Sequence, residues 1–389
     1  MVLSRNRKKP HILLMSLCIA LIVMQQTIGY ITHISPLLSF LSYACVCCIL
    51  ILGESIRFNK LFLTYIIYLG LSLLISIPPE VFNSGLRYFL FVIVIMITSP
   101  LIQNSLLIQF RRYCLFFIIL ISIIISIISF IFFYLGINFM QYTADLAFSD
   151  KGGLFWGLTN HSIILGILSG ISVCSILFLG LTKNWKWYIV LIPCVGSLFV
   201  SASRGALAAT IFGVLVILML VLRTKGYNKQ ILKLLLFAIP SLIYAINHTH
   251  LIDGIKDKNE NRTSAPLDSR DEKIRYRIEE FESSPIIGIG MSTISIEGGD
   301  EIDFRTGRIE PGSSWFSILS MTGIVGLIFF LIIVFRGIRT QLLNPSTFSI
   351  LLVGLVAFFA ISLFSEGYIF AAGSPLCFIL WLILGNCIE

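Results

Sequence analysis

Twelve runs of mainly apolar residues take up most of this sequence, near 11–30, 35–53, 61–78, 86–103, 114–135, 155–181, 187–201, 205–222, 231–246, 315–335, 348–364 and 373–386. A helix rising about 1.5 Å per residue needs roughly 20 such residues to cross a hydrocarbon core about 30 Å thick. Repetition on this scale leaves little choice of fold, because inside a bilayer every backbone polar group must be satisfied within the protein. The expectation is an all-α polytopic membrane protein of about twelve transmembrane helices. Composition agrees, with 57% hydrophobic and 12% charged residues, where soluble domains carry roughly 25% charged. The seventh and eighth runs are short and meet at Ser201-Ala202-Ser203-Arg204-Gly205, which predicts a tight turn at one membrane face.

One long polar segment, 247–314, interrupts the pattern. It divides the chain into 1–246 with helices one to nine, the large external loop 247–314, and 315–389 with helices ten to twelve. The net charge of +8 is no sign of nucleic-acid binding, since Lys and Arg in short cytoplasmic loops produce such an excess. With the N-terminus in the cytoplasm, the inner side collects Arg57, Lys60, Arg111, Arg112, Lys183, Lys186, Arg223, Lys225, Lys229, Lys233, Arg336 and Arg339. Both termini then face the cytoplasm and the long loop faces out. Arg5, Arg7, Lys8 and Lys9 precede the first run without a small-residue cleavage site, so that run is expected to remain as a helix. All nine cysteines lie in or beside apolar runs and none in the loop, which argues against a disulfide framework or a metal cluster.

Inside the loop, Ser269 and Glu272 form a capping box that starts a helix from about Arg270 to Glu282. Pro285 stops it. Ile274, Ile278 and Phe281 share one side, which suits a helix lying on the outer membrane face with its apolar side inward.

Several residues have the chemistry to hold an anionic ligand. Arg204 stands where two apolar helices meet, beside a helix start that favours anions; the alternative is an interfacial anchor that snorkels. Arg270, Arg275 and Arg277 offer the same choice between ligand contact and a solvated face. Arg87 follows the short outer loop of Pro78, Pro79 and Glu80, and Asn160 and His161 open the sixth helix at the outer face. Glu310, before a Pro-Gly turn at the mouth of the tenth helix, is a candidate general base or an ordinary loop carboxylate. No nucleotide-cradling glycine loop, zinc spacing or Ser/His/Asp pattern is present.

Three pieces of the chain resemble the O-antigen polymerase and O-antigen ligase superfamily of bacterial membrane glycosyltransferases. They are Ser201-Ala202-Ser203-Arg204-Gly205-Ala206, then Asp268-Ser269-Arg270 with Ser284-Pro285-Ile286-Ile287-Gly288-Ile289-Gly290, then Ser313-Ser314-Trp315 with Thr322-Gly323-Ile324-Val325-Gly326. Gly157-Leu158-Thr159-Asn160-His161 adds a fourth. The resemblance implies a GT-C-like glycosyltransferase of the bacterial inner membrane, working at its outer face. Undecaprenyl-diphosphate-linked oligosaccharide would be its donor, with no metal or other cofactor and with inversion at the donor carbon. It implies Arg204 and Arg270 on the diphosphate, Glu310 as base, and Arg87, Asn160, His161, Arg275, Arg277 and Ser313 as further substrate contacts. Membrane lipids, and a flippase and chain-length regulator of the same pathway, are the partners it suggests. Ligases of the family carry a histidine just before the tenth helix, where this chain has Glu310-Pro311-Gly312-Ser313-Ser314-Trp315. A repeat-unit polymerase is therefore expected first, an O-antigen ligase second. A lipid-linked sugar flippase or transporter stands as the rival from another class, and a structural partner of an assembly complex as the plainest reading.

Overall fold

The computed structural model describes residues 9–29, 33–137, 155–223, 269–295, 302–303, 308–309, 312–343 and 345–389. The described residues contain α1 (Lys9–Gln25), α2 (Pro36–Leu52), α3 (Lys60–Ser76), α4 (Ser84–Thr98), α5 (Ser105–Tyr134), α6 (Ser162–Thr182), α7 (Trp187–Val200), α8 (Arg204–Arg223), α9 (Ser269–Ser283), α10 (Ser314–Leu343), α11 (Thr347–Ser365) and α12 (Pro375–Ile388). All but α9 are apolar. Six candidate spans are long and apolar enough to cross a membrane, and five apolar helices are shorter. The chain is thus a polytopic all-α membrane protein. The expected ninth span, 231–246, lies outside the described residues.

Local signals set the helix boundaries. Ser35, Asn59, Asn104 and Ser374 each accept a backbone N–H of their own helix's first turn, and Pro36 and Pro375 occupy first-turn positions where a missing N–H costs nothing. Two short antiparallel pairs, β1 (Arg57–Phe58) with β2 (Ile102–Gln103) and β3 (Ile302–Asp303) with β4 (Arg308–Ile309), tie loops together.

One boundary corrects the sequence-based expectation. The fifth helix begins at Ser105, not near 114, because Asn104 caps it by accepting the Leu107 N–H at 2.7 Å. Arg111 is accordingly no inner-loop charge. It is fully buried in α5, ion-paired with Glu389 and donating through Nε to the Ile97 carbonyl at 3.1 Å.

The bundle is packed around α6 and α12, which are buried along nearly their whole length. Small residues let their neighbours approach. A serine seam links α5, α6 and α7: Ser126 Oγ lies 3.2 Å from Ser169 Oγ and 3.3 Å from Ser172 Oγ, and Ser197 Oγ donates to the Ser126 carbonyl at 2.5 Å. Lipid cannot drive helices together by the hydrophobic effect, so close packing and such hydroxyl bonds take over. Leu71, Leu74, Ile75, Ile324 and Ile328 are exposed on the flanks, as a lipid-facing surface requires.

α10 is broken in its third turn. Gly323 has φ 63° and ψ −171°, a region open essentially to glycine alone. The segment Pro285–Gly290 fills the break. Ile289 and Gly290 donate to the Ser320 and Met321 carbonyls at 2.9 and 3.0 Å, while the Ile324 and Val325 amides donate to the Pro285 and Ile286 carbonyls at 2.8 and 3.4 Å. The loop backbone thus replaces the helical bonds that the break removes, which is what buried irregular backbone demands. Hydroxyls of α3 hold the break and the strap from behind: Tyr68 donates to the Thr322 carbonyl of α10 at 2.6 Å, while Ser72 and Ser76 donate to the strap carbonyls of Ile287 and Gly288 at 3.3 and 3.1 Å.

Candidate functional site

The sequence-predicted residues other than Glu310 lie on elements at one end of the bundle, where α1, α3, α5, α7 and α11 finish and α4, α6, α8, α10 and α12 begin. Arg204 is the first residue of α8 and is exposed. The turn behind it is rigid and buried. Ala202 adopts φ 50°, a left-handed conformation that L side chains rarely take, Ser201 Oγ donates to the Leu198 carbonyl at 2.7 Å, and Ser201 and Ser203 pack against Gly166 of α6. Strain of about 1–3 kcal/mol at such a residue persists only where the surroundings over-determine it. The result is an exposed cation on a fixed base, at a helix N-terminus whose dipole favours anions.

A chain of direct contacts runs from this turn to the loop. Gly205 sits against the Ser365 side chain at the end of α11. The next carbonyl, of Glu366, accepts both the N–H and the Oγ of Ser314, at 3.0 and 2.6 Å. Ser314 Oγ in turn accepts the Tyr368 N–H at 3.0 Å. Ser313 is buried and donates to the Leu363 carbonyl at 3.2 Å, so in this arrangement it joins α10 to α11. Two turns along α10, on the same face, Ser320 meets Arg277 at 3.5 Å.

Arg277 and Glu280 are the second feature of the site. Their side chains are 1% and 4% exposed, and their charges lie 2.7 Å apart. Glu280 Oε1 also accepts the Ser295 N–H at 2.6 Å. This overturns the expected face of α9. Ile278 is 41% exposed while the charged pair points inward, because Ser320 and the Ser295 amide supply the polar partners that a buried charge requires. Burial pushes the Glu280 carboxyl above its ordinary range, against the pull of the Arg277 guanidinium and the Ser295 N–H.

The remaining candidates divide clearly. Arg275 is solvent-exposed, 4.0 Å from Glu272, 3.7 Å from Glu279 and over the Tyr276 ring. Arg270 lies in the first turn of α9, and Arg87 is half-buried in the first turn of α4, one turn from Ser84, which bonds the Ser292 carbonyl at 3.4 Å. Asn160 is tied to the end of α1, donating through its amide to the Gln26 carbonyl at 3.0 Å and through its backbone to Thr27 at 2.9 Å. His161 caps α6, its Nδ1 accepting the Ile163 N–H at 3.1 Å, with its ring stacked on Trp156. Glu310 lies outside the described residues. The neighbouring Gly312 rests on the Lys273 side chain of α9.

Sequence reasoning missed Glu280, Ser314, Ser320 and Tyr68. A faint signal existed in Ser313, Ser317 and Ser320, whose i, i+4, i+7 spacing puts three hydroxyls on one helix face. Among the described residues, no group of three or more His, Cys, Asp or Glu is placed to hold a metal ion.

Part of the chain is similar to a known family. Residues 189–331 match the family model described as O-Antigen ligase. The matched segment runs from α7 through the strap to the break in α10, so it contains Arg204, α9 and Ser313. It bears out the resemblance to the O-antigen polymerase and ligase superfamily, whose members are membrane glycosyltransferase-like enzymes. No curated protein matches the chain.

Proposed function

We propose that this protein is a polymerase of polysaccharide repeat units, acting on glycans carried by undecaprenyl diphosphate at the outer face of a bacterial inner membrane. Its fold is GT-C-like with twelve spans, and both termini lie in the cytoplasm. Arg204 and Arg270 take the diphosphate of the donor. An acceptor hydroxyl on a second lipid-linked repeat attacks the donor's anomeric carbon. The new C–O bond forms as the bond to the phosphate oxygen breaks, the electron pair leaves with the diphosphate, and Glu310 takes the hydroxyl proton. The anomeric centre is inverted. Fixed cations and helix-end amides aimed at a leaving group are worth several kcal/mol in a low-dielectric site, since they need no reorganisation as charge develops.

The observation that carries this reading is Arg204, an exposed cation on a strained, buried turn at a helix N-terminus. The choice of polymerase over ligase rests on the loop exit, because no histidine follows His250 in the chain. Among the described residues, notable charges at helix ends rather than at mid-bundle weigh against a flippase, for which midplane charges are expected. Deleting the gene and analysing surface glycan tests the function. Single repeats capped on the lipid are expected; full-length polymer left on its carrier identifies a ligase instead, and repeats trapped at the inner leaflet a flippase.

A further inference from the structure

Beside the arginine turn, the segment that leads into α6 pairs with the end of α1. Residues 158–160 run antiparallel to the end of α1, with the Gly29 N–H on the Leu158 carbonyl at 3.2 Å, the Asn160 N–H on Thr27 at 2.9 Å, and Ile28 bridged to Thr159. These bonds satisfy the backbone of the seam. Its side chains are another matter. Gln25 Nε2, Trp156 Nε1, Asn160 Oδ1 and Ser162 Oγ are all buried and have no hydrogen-bond partner. Ser162 itself is 1% exposed. Buried polar side-chain atoms are bonded in the large majority of cases, so four orphans in one short seam require a reason.

Their chemistry is specific. Two are N–H donors, one is a carbonyl acceptor and one is a hydroxyl that does both. None carries a charge, so the set is poorly suited to a diphosphate. Beside them stand two stacked rings, Trp156 and His161, with centroids 5.9 Å apart and planes at 22°. Donors alternating with acceptors next to an aromatic face suit a pyranose, whose hydroxyls donate and accept at once and whose C–H face packs on a ring. The position fits as well. Ser162 opens α6, and Gly166, one turn of about 5.4 Å further on, packs against Ser201 and Ser203 of the arginine turn.

We infer that the seam formed by Gln25, Trp156, Asn160 and Ser162 binds a neutral sugar ring of the glycan, one helical turn from the anion site at Arg204. The inference deepens the glycan-transfer reading and rests on it for the identity of the sugar's parent chain, but it is tested by binding alone. The probe is the lipid-free oligosaccharide repeat, released by mild acid from the host's own lipid-linked glycan, added to the detergent-solubilised full chain. Saturation-transfer NMR should mark the protons of one ring. Trp156→Phe, which keeps the aromatic ring but removes its N–H, should weaken binding about tenfold, as should Ser162→Ala and Asn160→Leu. Circular dichroism checks each variant's helicity, and the conservative Trp156→Phe and Ser162→Ala decide if Asn160→Leu misfolds. No transfer to the wild type, or affinities unmoved by both conservative variants, overturns the subsite. Sugar binding that persists in a protein inactive in polymer synthesis would keep the subsite and remove the polymerase.

Discussion

Gly323→Ala should release the strap from the break in α10. A Cβ on Gly323 would overlap the Ile286 carbonyl and approach the Ile287 nitrogen to 2.6 Å, so the strap must move or the helix must twist. Four backbone bonds join the two, three of them at 2.8–3.0 Å and one at 3.4 Å. At about 0.5–1.5 kcal/mol net apiece, losing them costs roughly 2–6 kcal/mol. The φ 63°, ψ −171° conformation adds about 1–3 kcal/mol for any residue with a Cβ. A total near 3 kcal/mol or more corresponds to at least about a hundredfold change in the opening equilibrium. Hydrogen exchange of the purified protein in lipid nanodiscs reads this directly. Amides of Ile289 and Gly290 should exchange at least a hundredfold faster than in wild type, while the far half of α10 stays protected. Unchanged protection at Ile289 and Gly290 would refute the reasoning, because the strap would then not depend on the break.

Tyr68→Phe removes the 2.6 Å bond to the Thr322 carbonyl and should loosen the same amides by about 1 kcal/mol, roughly fivefold, in the same exchange experiment. Arg204→Ala should abolish chain growth at normal protein levels, with Arg204→Lys recovering only part, since a lysine lacks the bidentate fork; wild-type polymer from Arg204→Ala would remove the diphosphate role. The docking of α9 should also depend on pH. The buried Glu280 carboxyl has a pKa raised above its ordinary 4.5, so the docked helix binds a proton more tightly than the free one. Its contribution is complete below pH 4.5 and is lost as pH rises through the raised value. Exchange in α9 should therefore quicken with pH beyond its intrinsic dependence, and slower exchange would show that Arg277 attraction outweighs burial.

The helices were largely legible in the sequence because the bilayer imposes one length and one polarity on each span. The start of α5 was not. Arg111 looked like a loop charge, and what buries it is Glu389, 278 residues away. The face of α9 was misjudged for the same reason. Ile274, Ile278 and Phe281 pointed inward by spacing, yet the partners that decide the matter, Ser295 and Ser320, belong to other segments. Gly288, Gly290 and Gly323 stood out as motif residues, but their joint role as strap and break exists only once two segments meet. Arg204 and its serines were legible because the turn is local. Glu280 was hidden because a glutamate in a polar helix is ordinarily solvated.

Glycan transfer between lipid-linked repeats is tested most directly with the purified protein in liposomes holding undecaprenyl-diphosphate-linked repeat units and nothing else. A ladder of longer lipid-linked glycans, absent with Arg204→Ala, is the predicted result. No ladder from the wild type, with transfer appearing only when a different acceptor such as a lipid A-core is added, would contradict the polymerase and establish a ligase.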